Sequence, residues 1–416
     1  MTCEPTKCPM DAASENHRAF QHIGMYEFFR DLRAQEVPIF YSPKIGYWVL
    51  TRRDDVLFVF KNPERFSAAI ATQPLFQWPP SVMELLKSRG LEIEPTQVNS
   101  DAPRHGRLKG QSSKFLNIKR LSSYEPEIRA LVRSYIDQMK GREIVDLVDA
   151  LTYELPAQVV FLLYGVTDFD PRKIKSWGDL RIMMMFGNLS HEELDKAAHD
   201  LADFWDFTVD LFEARKAEPR DDYPSMLAET LKQDESPLTE NEIKNMLFGI
   251  LLAGHETTTN AAGNLFLELL RHRDQWKKLV ADPALIRNAV EEGLRYASSV
   301  VAWRRTAKED IEVGGVTIKK GDKILMSLGS ANRDEAHFEN GEAFDVERAN
   351  ARLHIAFGKG VHHCAGAPLA RLELRIMLEE MVATFPRMEL IEDQEFTFTP
   401  TATFRGPEKL WVRLNN

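Results

Sequence analysis

Of three cysteines in 416 residues, only Cys364 lies away from the N-terminus. It stands in Phe357-Gly358-Lys359-Gly360-Val361-His362-His363-Cys364-Ala365-Gly366, a glycine-rich loop directly before a long helical pattern. The N–H groups and the dipole at a helix start stabilise a thiolate. Gly360 and Gly366 let the backbone come close to a flat ligand, with Phe357 to cover one side of it. Such a thiolate suits iron carried by a flat cofactor. Haem is one known partner, and the thiolate then pushes electron density towards cleavage of an O–O bond. The competing reading is a structural cysteine that caps the helix.

A second unusual run is Ala253-Gly254-His255-Glu256-Thr257-Thr258-Thr259. Glycine, an acid and three threonines are poor choices for a helix interior. Polar groups in a buried stretch cost free energy unless paired, and such local conflicts tend to mark function. Glu256 and Thr257 are the candidates for moving protons. The bland alternative is a buried helix whose hydroxyls bond back to its own carbonyls. Glu292 and Arg295, three residues apart, read by themselves as a surface helix pair.

These groups need elements to hold them. Thr239-Glu240-Asn241-Glu242 fits a capping box, and the helix it opens is predicted to run on to about Arg271. That length is roughly 50 Å. From Met246 to Leu252 it is apolar on every side except Gly249, as expected of a helix buried all round. A last long helix is predicted over residues 367–385. Strand-like pieces fall near residues 39–51 and 302–327. Residues 66–100, with four prolines, read as a long irregular loop. Helices dominate and no repeat or linker breaks the chain. The expected fold is mainly α with small β-sheets: one domain over residues 20–416, after a flexible tail over residues 1–19. Cys3 and Cys8 are expected to be exposed thiols in that tail.

The net charge of −10 argues against general nucleic-acid binding. Three cysteines are too few for a disulfide framework. The polar N-terminus is neither a signal peptide nor an anchor, and no apolar run is long enough to span a bilayer. A reducing cytoplasm is the expected location.

Phe357, Gly360, Cys364 and Gly366 match the haem-binding signature of the cytochrome P450 family, and the chain resembles that family from about Tyr26 onwards. The resemblance implies the P450 fold with its long buried central helix, haem b as cofactor, and Cys364 as axial ligand of the iron. It places Phe357, Gly358 and Gly366 in the haem loop. Gly254 would open the helix for O2, Thr257 would stand beside it, and Glu256 would relay protons from solvent. His105, Lys109, Arg305 and His362 would meet the haem carboxylates, although the family usually has arginine where this chain has Lys109. Arg348 would join Glu292 and Arg295 in a structural cluster on the cysteine side.

By the same resemblance the chain is a monooxygenase that hydroxylates or oxidatively dealkylates a small apolar or aromatic substrate. Electrons would come from NAD(P)H through a ferredoxin or flavodoxin and its reductase. No flavin or iron–sulfur segment is found, so electrons come from another protein or this is an isolated domain. Val301-Ala302-Trp303-Arg304-Arg305 and Phe404-Arg405-Gly406-Pro407 are similar to haem domains of bacterial enzymes fused to a reductase. Phe248, Leu252, Ala253, Val300, Val301 and Phe404 are the expected pocket lining. Lys109, Lys114, Lys359, Arg371 and Arg375 form a candidate docking patch for an acidic redox protein. Rival readings are a peroxide-driven or non-redox haem-thiolate enzyme, and a haem-thiolate sensor. The Glu256–Thr257 pair weighs against a peroxide-only enzyme and against the sensor.

Overall fold

The capping box expected at Thr239 is formed. Its hydroxyl accepts from the Glu242 N–H and the Glu242 carboxylate accepts from the Thr239 N–H, both at 3.1 Å. The helix that follows, Glu240–Ala253, is the first half of the central helix in this computed structural model, which describes residues 9–233 and 237–415. The second half is Glu256–Arg271. The single uninterrupted helix expected from the sequence is thus broken at Gly254 and His255. The His255 N–H bonds Leu252 at 3.4 Å, a shorter loop than the regular helical one. A side chain at Gly254 would stand 2.6 Å from Val160, so the helix Leu155–Tyr164 presses on the break.

Every residue from Thr258 to Leu270 is buried. The helices Leu155–Tyr164, Pro171–Phe186, Ile286–Tyr296 and Ala367–Thr384 pack against this second half, while His191–Ala217 lies against the first. One stripe escapes burial. Gly249, Ala253 and Thr257, at i, i+4 and i+8, share one face and keep accessible surface although the helix crosses the core.

The main sheet has the order Ile39–Ser42, Tyr47–Leu50, Lys323–Ser327, Ala302–Ala307, Phe66–Ser67. Its second and third strands are parallel and the other pairs antiparallel. Arg304 pairs with Leu325 and Arg305 with Ile324. Side chains alternate along a strand, so the two arginines leave on opposite faces.

Two expectations are corrected. Residues 9–19 do not behave as a loose tail. Pro9–Asn16 is a helix whose Ala13, 2% exposed, joins a core with Phe29, Phe40 and Val49. His17 is buried and bonds Ser42 at 2.9 Å. The polar composition hid one well-placed alanine and one histidine. Cys3 and Cys8 lie outside the described residues. The stretch 66–100 is also more ordered than its prolines suggest. It holds the strand Phe66–Ser67 and the helix Pro80–Ser88, and the Trp78 indole N–H donates to the Met184 carbonyl at 3.0 Å. Among the described residues no helix is long and apolar enough to cross a membrane.

Candidate haem site

The cysteine loop is shaped by two glycines. Gly358 and Gly360 have φ of +69° and +71°, and a side chain at Gly360 would meet the Phe60 carbonyl at 2.7 Å. The loop closes when the Cys364 N–H donates to the Phe357 carbonyl at 3.0 Å. Gly366 is different: a side chain there would meet only the Cys364 sulfur, at 3.8 Å. It keeps one side of the sulfur clear. Phe357 lies beside the loop, half-buried, with the Arg371 guanidinium 4.6 Å from its ring centre.

Cys364 has accessible surface, yet protein surrounds it. Both hold if it fronts an internal space. Burial pushes its thiol above the ordinary value, although the N–H groups of Gly366 and Ala367, Lys109 and Arg371 pull the other way. A metal cation at the sulfur would add to that pull and favour the thiolate.

The basic residues singled out in the sequence converge. The His105 and His362 ring centres are 4.1 Å apart. His105 Nε2 and His362 Nδ1 are buried without a hydrogen-bond partner. Burial and the neighbouring cations, Arg305 first, hold His362 down at about 3. Arg305, also buried, is lowered to about 10, with Asp101 the one acid that opposes this. Two unpartnered imidazole nitrogens beside a buried guanidinium that, among the described residues, bonds only the Arg304 carbonyl, at 2.7 Å, fit a ligand that brings carboxylates, as haem does. Lys109 departs from expectation. Its ammonium donates to the carbonyls of Val361, at 2.5 Å, and His363, at 2.9 Å. A single flexible point charge reaches these carbonyls, so Lys109 ties down the cysteine loop while staying close enough to lower both His105 and His362.

On the central helix, the break frees carbonyls and the threonines take them. Thr257 donates to the Ala253 carbonyl at 3.0 Å and Thr258 to Gly254 at 3.5 Å. This is the back-bonding that the sequence left open, but it leaves the lone pairs of the Thr257 oxygen free to accept. Next to Thr257 in the chain, Glu256 is buried and ion-paired with Lys175. Asn260 donates to Glu256 at 3.0 Å. Lys175 also meets Asp179 at 2.5 Å, and the Tyr153 hydroxyl donates to Asp179 at 2.7 Å. Burial raises the Glu256 carboxyl to about 7, with Lys175 opposing and Asp179 adding. The Asp179 side chain is 37% exposed, so a line of polar groups runs from solvent to Glu256, the residue before Thr257.

A family model for cytochrome P450 matches residues 173–409. Putative cytochrome P450 YjiB of Bacillus subtilis is 32% identical over 379 residues, 90% of this chain and 89% of that protein. The chain belongs to the cytochrome P450 family. The solved cytochrome P450 CREJ in complex with (4-ethylphenyl) dihydrogen phosphate superposes on this P450 with a TM-score of 0.93. It is 36% identical and covers 96% of this chain and 99% of that one. Full-length CYP116B46 from Tepidiphilus thermophilus, a reductase-fused member, gives 0.91 at 35% identity, covering 97% of this chain and 54% of its own. Bacterial relatives are named hydroxylases and epoxidases, and this P450 is a monooxygenase. Its family uses haem b and O2, with electrons supplied by NAD(P)H through a redox partner.

The expected pocket residues separate. Ala253 is accessible and Leu252 and Val300 half-buried. Phe404 is 7% exposed and bridges Val300. It packs on Phe186, which stacks on Trp303. Phe248 does not line the space: its ring is 3% exposed, wedged against Phe204 and Trp205. Helical periodicity puts Gly249, one residue on, at the open face instead. Val301, 3% exposed, lines a separate cavity of about 140 Å³ with His22, Ala302 and Ala402.

The structural cluster forms as expected. Glu292 takes two bonds from Arg295, at 2.7 and 2.8 Å, and one from Arg348 at 3.2 Å, all buried. The docking patch mostly does not. Arg371 is paired with Glu291, Arg375 with Glu125 and Glu379, and Lys114 bonds Gln111. Opposite charges nearby cancel the two arginines. Lys359 alone of the five is exposed with no ion pair or side-chain bond recorded among the described residues.

Lys175 and Arg181 were missed in the sequence. A lysine four residues before an aspartate reads as a surface helix pair, and nothing local reveals that this one faces Glu256.

Proposed function

We propose that this P450 hydroxylates or oxidatively dealkylates a small apolar or aromatic organic molecule, with electrons from a ferredoxin or flavodoxin in the cytoplasm. Haem b, when bound, supplies the activation of O2 and the oxidation of substrate carbon. Cys364 would hold the iron, with Gly358, Gly366 and Phe357 shaping that side. His105, Arg305 and His362 would hold the carboxylates. Lys109 would fix the loop that carries the cysteine.

On the other side, the stripe Gly249, Ala253 and Thr257 would face the substrate with Leu252, Val300 and Phe404 around it. Apolar walls exclude water and leave orientation to shape. Glu256 would take a proton from the side of Asp179 and pass it to the Thr257 hydroxyl, which rotates between the Ala253 carbonyl and the open space. Lys175 would keep Glu256 in place. A relay acid works best with a pKa near the working pH, and Glu256 meets that condition.

The supporting observation is that accessible surface inside the molecule occurs at both Cys364 and Thr257, with a buried acid next to the threonine in the chain. The test is the reduced, carbon-monoxide difference spectrum of the purified protein beside Cys364→Ala. A strongly red-shifted Soret band, lost in the variant, is expected. A histidine-type spectrum unchanged by the substitution would sink the proposal. Product formed from hydrogen peroxide, with no gain from an electron donor, would favour the peroxide-driven reading.

A further inference from the structure

Arg181 lies on the helix Pro171–Phe186, one turn after Gly178. A side chain at Gly178 would meet His255 at 2.5 Å and Leu252 at 3.3 Å, so glycine brings this helix hard against the end of Glu240–Ala253. One turn on, the Arg181 guanidinium lies 3.7 Å from the Phe248 ring centre. One of its N–H groups donates to the Phe248 carbonyl at 2.8 Å. Protein encloses it, yet part of its surface stays accessible, the same combination as at Cys364.

No carboxylate among the described residues is recorded as its partner. On its own helix, Asp179 is held by Lys175 and Tyr153. On the facing elements, Glu242 is held by Arg104 and Arg107, and Asp203 and Asp206 by Arg89. Burial with no opposing charge lowers Arg181 to about 9. An enclosed cation without a counter-ion is costly, and the cost is relieved when a ligand brings the anion.

We propose that Arg181 docks an anionic head group, a carboxylate or a phosphate monoester, on the substrate; this rests on the monooxygenase reading above. A planar guanidinium offers a fork that matches either group. Length is consistent. Phe248, under the guanidinium, precedes Thr257 by nine residues, roughly 13 Å along a helix. Between them the wall is Leu252 and Ala253. A benzene ring with the anion at one end and a short alkyl group at the other is short enough to lie along this wall.

The test is calorimetric titration of haem-loaded enzyme with 4-ethylbenzoate, 4-ethylphenyl phosphate and neutral 4-ethylanisole, in wild type, Arg181→Gln and Arg181→Lys. In wild type at least one anion should bind about 10-fold or more tighter than the anisole, and which one identifies the head group. Arg181→Gln should weaken that anion by at least about 30-fold, as removal of one partner of a buried charge pair does, and change the anisole by less than about 3-fold. Arg181→Lys should fall between, keeping charge without the fork. Anions no tighter than anisole in wild type, or an equal loss for all three ligands in Arg181→Gln, would overturn the proposal. Calorimetry reads binding without the chemistry. The carbon-monoxide spectrum of the same samples shows separately whether the haem-thiolate reading has failed.

Discussion

Lys175 and Glu256 form an ion pair inside the molecule, with side chains 2% and 6% exposed, and Glu256 is the residue before Thr257. The pair sets how Glu256 titrates. Burial raises its carboxyl and the ammonium restrains the rise, leaving it near 7. Only the protonated acid can give a proton, so product formed per electron should fall as pH rises through about 7. Lys175→Met removes the restraint and should move that inflection upward, while Glu256→Gln should abolish it. A pH profile of product per NAD(P)H checks this, and identical inflections in all three proteins would refute the relay. The sign for stability is the reverse of the usual carboxylate. The native state binds a proton that the unfolded chain has released above about 4.5, so this group's contribution is lost as pH rises through 7.

Thr257 should act through its hydroxyl, which Thr257→Ser retains and Thr257→Ala loses. The alanine variant is expected to keep consuming electrons while product per O2 falls by about 100-fold, the lower end of the usual range for a lost proton-transfer group. The serine variant should stay within about 3-fold of wild type on the same scale. Oxygen uptake measured beside product decides it, and an alanine variant with wild-type coupling would remove Thr257 from the mechanism.

The two glycines flanking the sulfur make opposite predictions. Gly360→Ala puts a side chain onto the Phe60 carbonyl at positive φ, so the protein itself should lose about 1–3 kcal/mol of stability. Gly366→Ala meets no protein atom but the sulfur, so the fold should be unharmed while haem content drops. Denaturant midpoints of the haem-free protein, with haem stoichiometry after reconstitution, separate the two. A normal haem content in Gly366→Ala would mean that the space beside the sulfur is not used.

Charge reversal separates docking from folding. Lys359→Glu breaks no recorded pair and should slow electron delivery by a ferredoxin or flavodoxin several-fold, with a flatter salt dependence. Arg371→Glu places like charges beside Glu291 and should lower stability instead. Stopped-flow reduction across ionic strengths reads the first effect and thermal unfolding the second. Unchanged reduction of Lys359→Glu at low salt would rule this lysine out of the docking face.

The parts of this P450 legible in sequence are those where chemistry contradicts local preference. A lone cysteine between glycines and a polar run in a buried helix both resist a purely structural reading. The break at Gly254 was half visible, since glycine marked the place but not the pressure from Val160. Phe248 was an error of helical phase, and Val301 lines a different cavity. Lys175 and Arg181 were out of reach, because their burial depends on Glu256 and Phe248, 81 and 67 residues along the chain. The docked helix Pro9–Asn16 failed for the same reason, since His17 finds Ser42 only in the folded sheet.

The strand Ala302–Ala307 works as a rail that two tenants share. Val300 and Trp303 stand at one end, against Phe404 and Phe186, where a guest would press. Arg305 stands two residues further on, among the imidazoles of His105 and His362. A rigid strand passes displacement along its length. A guest pressed against that end would therefore bear on the strand that also carries Arg305, the cation placed to meet the carboxylates of the cofactor.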